Sequence, residues 1–167
     1  ATTPLKKLMG NPPSYGHGPH GSGKGVLEGQ TVEAGGDKDF VPDVTVRHGD
    51  VIKGDGWTVE CVHTPGHTSN HICFALLEEK ALFTGDHVMG WSTTVISPPD
   101  GDMKDYMRSL EILVPRDDAT YWPTHGPAIK DPQNFVRAYI AHRQDREAQI
   151  TACLRDGLGR IPDMVPV

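Results

Sequence analysis

From Val41 onward the apolar residues come in short runs broken by Gly, Pro and Asp, the rhythm of strands and turns rather than of a helical bundle. Val44-Thr45-Val46 alternates and predicts a first strand. Arg47-His48-Gly49-Asp50 predicts a turn, Val51-Ile52 a brief strand and Gly54-Asp55-Gly56 a hairpin turn. Alternation then puts Trp57, Val59, Cys61 and His63 on one face of a strand and Thr58, Glu60 and Val62 on the other, the first face being the more apolar. On such a face His63 is expected to be bonded to a carbonyl rather than to a metal. His71 to Leu76 and Ala81 to Phe83 read as two more strands about a Glu78-Glu79-Lys80 turn. Their nearly continuous apolar runs predict a sheet covered on both faces, and so a layered α/β fold.

Two stretches carry helical period. After Asp102 as N-cap, Met103, Tyr106, Met107, Leu110 and Leu113 (or Val114) form one stripe, ended by Pro115. After Asp131 and Pro132 a longer helix is expected to bury Phe135, Val136, Tyr139 and Ile140, and later Ile150 and Leu154, with Gly157 as its stop. Between the helices, Ala119 to Trp122 is a short strand. Upstream, Thr3 to Gly10 reads as a short helix and residues 11–29, rich in Gly and Pro and carrying His17 and His20, as a mobile loop. Residues 88–101 are irregular and expected at the rim of a site; residues 158–167 form an irregular tail. The 167 residues fit one domain.

Composition changes this picture little. Gly 19 and Pro 14 agree with many turns, and 37% hydrophobic with 23% charged residues describes a soluble chain. A net charge of -6 offers no global footprint for nucleic acid, whose phosphates need clustered Lys and Arg. Three widely spaced cysteines are expected as free thiols. With no long apolar span and no signal-peptide pattern, a cytoplasmic location without membrane attachment is expected.

The chemistry gathers where apolar strands run into turns. His63-Thr64-Pro65-Gly66-His67-Thr68-Ser69-Asn70-His71, Phe83-Thr84-Gly85-Asp86-His87 and Pro123-Thr124-His125-Gly126-Pro127 each deliver a possible ligand at a strand end. Asp86 follows His67 by 19 residues and His125 follows Asp86 by 39, too far apart for a helical or finger-type zinc motif. The three must converge from separate strands. Imidazole and carboxylate suit zinc, and also iron or manganese. A carboxylate can bridge two ions, and a hydroxide held between them is a strong nucleophile near neutral pH, so hydrolysis is the reaction class. Trp91, His142 and Arg146 are candidates for binding substrate, the last two lying four apart on the long helix.

In this order and spacing the three stretches resemble motifs of the metallo-β-lactamase fold superfamily, nearer its glyoxalase II-like and β-lactamase-like protein 2 branch than the true β-lactamases. Those commonly carry a cysteine at the position of Asp86. The resemblance implies an αβ/βα four-layer sandwich with a dinuclear site at one edge. His67 would bind the first metal, Asp86 would bridge, and His125 would bind the second. It also implies attack by hydroxide on an ester, thioester, amide or phosphodiester. The superfamily's HxHxDH motif is absent from residues 1–66, and His17-Gly18-Pro19-His20 has neither its spacing nor its aspartate. The expectation is therefore a segment of a complete enzyme that lacks its N-terminal strands and about half its ligands. Such a chain should hold metal weakly or not at all, be inactive alone, and expose a sheet edge through which it could form a homo-oligomer. A metal-free interaction module of the same fold and a nuclease of the same superfamily are the alternatives to a hydrolase of small molecules.

Overall fold

In the computed structural model, which describes residues 41–164, the turns read from the sequence fold β1 (Val51–Gly54), β2 (Trp57–His63), β3 (Ile72–Leu76), β4 (Ala81–Gly85) and β5 (Thr120–Pro123) into one sheet, neighbours in that order. The first four strands are antiparallel and need only tight turns. β5 lies parallel to β4, which requires a crossover, and α1 (Met103–Leu113) supplies it. α2 (Pro132–Arg155) follows β5, and α3 (Ile161–Met164) is one further turn within the stretch expected to be irregular. The helix expected at Thr3 to Gly10, the loop at 11–29 and the last three residues of the tail lie outside the described residues.

The helix ends follow the sequence signals. The Asp102 carboxylate accepts the Asp105 N–H at 2.9 Å, satisfying one of the orphan donors of α1. Pro132 opens α2, and Gly157 ends it in the left-handed conformation at φ 84 while the Leu158 N–H returns to Cys153 O.

Both helices cover one face of the sheet. Val62, Cys73, Ala75, Leu82 and Tyr121 pack there against Tyr106, Leu110 and Leu113 of α1 and Phe135, Val136 and Tyr139 of α2. The helix-covered face of β2 is thus the one carrying Thr58, Glu60 and Val62, although the sequence makes the other face the more apolar. The reason is a pairing across the chain: Arg116 lies 3.2 Å from Glu60 and 2.7 Å from Asp118, so Glu60 is neutralised beneath the helical layer.

The expectation of cover on both faces does not hold for the described residues. Phe74, Phe83 and Trp122 lie on the opposite face, 37%, 47% and 47% exposed. Met103, Ile150 and Leu154, expected in buried stripes, are also exposed. Val44 to Val46 is not a strand, and the Arg47 to Asp50 turn holds instead through the Asp50 N–H to Arg47 O bond. The cysteines Cys61, Cys73 and Cys153 are free thiols, as expected. Among the described residues, no helix is long and apolar enough to cross a membrane.

Candidate metal centre

His67 is fixed by the turn that follows β2. Gly66 has φ 134, and a Cβ there would come within 2.3 Å of the Tyr106 Cα, so only glycine lets the turn lie on α1. The Gly66 carbonyl accepts the Asp102 N–H at 2.9 Å, tying the turn to the start of that helix. Asp86 leaves the end of β4. His125 leaves the end of β5, where the Gly90 N–H donates to His125 O at 2.9 Å and joins the two loops.

These three side chains, far apart in sequence, meet. His67 Nε2 stands 3.6 Å from Asp86 Oδ2 and His125 Nε2 3.6 Å from Asp86 Oδ1. Both gaps are longer than a hydrogen bond. His67 Nδ1 lies 2.7 Å from Val95 O, and because a carbonyl only accepts, Nδ1 carries a proton, which in the neutral ring leaves the lone pair on Nε2. Asp86 Oδ1 is buried with no hydrogen-bond partner among the described residues. An orphaned carboxylate oxygen between two imidazole nitrogens is a donor set that fits divalent cations. Among the described residues no group of three His, Cys, Asp or Glu side chains surrounds a single point, and each imidazole instead faces its own oxygen of Asp86.

The trio opens on a cavity of about 560 Å³. Met89, Val95, Pro98 and Pro99 give it apolar walls, with Thr94, Ser97 and Asp100 as polar points. Half of the irregular stretch expected at the rim, seven of residues 88–101, therefore does line it. Trp91 stacks on the His125 ring, centroids 6.3 Å apart and planes 23° apart. Trp91, His142 and Arg146 are not among the cavity's lining residues; His142 is half-buried on α2, and Arg146 is exposed and bonded to Gln149. His63 is bonded to a carbonyl, its Nε2 being 3.1 Å from Ser69 O.

Behind the site lie residues that the sequence reading passed over. His87 is fully buried, and the Ser109 main chain offers its ring only a weak partner. Burial, then His71, pushes its pKa down to about 3. Burial, then His67, likewise lowers His71 to about 4. Both rings are neutral near pH 7. Tyr139 and Arg143 reach from α2 into the loop after β4: the Tyr139 hydroxyl meets Ser92 O and Met89 O, and Arg143 donates to Thr94 O. The buried stripe of α2 carries the signal for Arg143, which is four residues after Tyr139 on the same face.

The family model of the metallo-β-lactamase superfamily matches residues 4–125. The chain belongs to this superfamily. It is 39% identical over 111 residues to a β-lactamase-like protein 2 homolog of Caenorhabditis elegans, covering 66% of this chain and 36% of that protein. It is also 39% identical over 108 residues to an atrochrysone carboxyl ACP thioesterase of Aspergillus fumigatus, covering 65% of this chain and 33% of the relative. Among solved structures, a metallo-β-lactamase family protein from Thermus thermophilus superposes with a TM-score of 0.59 at 28% identity, covering 64% of this chain and 37% of its own. The chain spans about a third of the length of the curated relatives it matches.

Proposed function

We propose that these residues form part of a dinuclear metal-dependent hydrolase centre for an ester, thioester or amide, with His67 on one metal, His125 on the other and Asp86 bridging. The observation that carries the reading is the Asp86 carboxylate, its buried Oδ1 unbonded, with one imidazole nitrogen 3.6 Å from each oxygen. Zinc is the first candidate, and iron or manganese would accept the same donors. Bound there, a divalent metal would polarise the scissile carbonyl and supply a nucleophile from water at neutral pH. The chain's own share is to hold lone pairs in place: Val95 O keeps the His67 proton on Nδ1, and the Gly90 to His125 bond fixes the second loop. Met89, Val95, Pro98 and Pro99 would take the apolar acyl part of a substrate. The thioesterase named among the relatives supports a thioester in particular.

With these three ligands, each metal receives one imidazole and a shared carboxylate, so the 167-residue chain should hold zinc weakly and turn over nothing by itself. Tight stoichiometric zinc in the purified chain, or turnover of a generic ester by it, would overturn that. In the gene product that contains these residues, Asp86→Asn should lower hydrolysis of a generic thioester by roughly 100-fold or more, since loss of a ligand exceeds loss of a supporting bond. Unchanged hydrolysis in Asp86→Asn sinks the hydrolase reading.

A further inference from the structure

Thr94 is 2% exposed in the loop that follows β4; its hydroxyl reaches the main chain of Asp86, and the next residue, Val95, reaches His67. Its hydroxyl lies 2.6 Å from Asp86 O and 3.1 Å from His87 O, so its single proton goes to the nearer carbonyl, that of Asp86. Its own carbonyl accepts from Arg143 Nη2. The carbonyl of the next residue, Val95, takes the Nδ1 proton of His67 at 2.7 Å. A single dipeptide thus grips the main chain of one candidate ligand and the ring of another.

Arg143 is more than a chance contact on this dipeptide. Its guanidinium carbon lies 5.6 Å from the centre of the Tyr106 ring, and the Tyr106 hydroxyl donates to His87 O at 2.8 Å. The loop is therefore held from both helices, by Arg143 of α2 at Thr94 and by Tyr106 of α1 at His87. A buried hydroxyl and a half-buried guanidinium fixed on main-chain carbonyls set a loop's position more narrowly than apolar packing, because each bond has one direction.

We propose that Thr94, anchored by Arg143, is a positioning residue that couples Asp86 to His67: it sets the Val95 carbonyl so that His67 presents Nε2 to the carboxylate. The inference rests on the metal-centre reading for its purpose but not for its measurement. Removing the hydroxyl frees the loop, the Val95 carbonyl leaves its place opposite Nδ1, and the His67 proton divides between the two ring nitrogens.

The test is imidazole nitrogen NMR on the metal-free 167-residue chain at pH 8. The wild type should show His67 as one tautomer, with the proton on Nδ1. Thr94→Val, which keeps the branched shape and loses the hydroxyl, should convert His67 to a mixture, while Thr94→Ser should retain the wild-type signal. Arg143→Gln should also give a mixture, and it carries the test should Thr94→Val not fold by circular dichroism. His63, bonded to Ser69 O, is the internal reference and should stay fixed in every variant. A single Nδ1–H tautomer for His67 in either folded variant overturns the proposal. So does a change at His63 equal to that at His67, which would mark a general loosening. Zinc titration of the wild type is a separate readout: failure there counts against the metal centre and leaves the tautomer result to decide the role of Thr94.

Discussion

A histidine buried neutral in the fold makes stability depend on pH in a definite direction. His87 and His71 titrate at about 3 and about 4, below the ordinary value, because burial disfavours their charged forms. The unfolded chain then binds more protons than the folded one between the ordinary pKa and these values. Stability contributed by the neutral rings is present above pH ~6.5 and is lost as pH falls toward 4 and 3. At pH 5 each ring should cost about 2 kcal/mol. Thermal unfolding between pH 7.5 and 5 should show a falling midpoint, and His87→Leu should flatten that slope; an unchanged slope in His87→Leu contradicts the assignment. At this scale the sequence placed His67, Asp86 and His125 at strand ends, where a Gly or Pro turn sets a side chain whatever surrounds it, and the structure brings the three side chains together. It was a poor guide to Thr94, Arg143 and His87, whose importance comes from partners many residues away. For α2, the extent of its cover decides: Arg143 is half-buried at the end of the buried stripe, while every residue from Gln144 to Ile150 is exposed, Arg146 among them.

Strands and helices were legible where period and punctuation agreed. The caps Asp102, Pro132 and Gly157 and the hairpin at Gly54 to Gly56 stand where their chemistry requires. The face of β2 was not legible, since Val59, Cys61 and Val62 make both faces apolar and the Arg116 partner of Glu60 is far away in sequence. The same sidedness gives a test from two adjacent residues. Leu82 is fully buried against the helices and Phe83 is half-exposed on the opposite face. Leu82→Ala should cost about 2–5 kcal/mol in urea unfolding, and Phe83→Ala less than about 1 kcal/mol in this chain, although phenylalanine is the larger residue. Equal losses would mean that the outer face is covered after all.

For the molecule as a whole, one helix-covered sheet brings three motifs from separate strand ends to one opening, which no local reading of the sequence could measure. The superfamily membership accounts for that convergence, and on the proposed reading two ligands per metal from the described residues would set how firmly this chain holds an ion. The most direct measurement is a zinc titration of the 167-residue chain followed at its histidine ring signals, with Asp86→Asn alongside. The account predicts that the His67 and His125 signals move together, weakly and in fast exchange, and that Asp86→Asn abolishes the response at both. Signals of His67 and His125 that stay still in millimolar zinc, or that respond equally in Asp86→Asn, would contradict it.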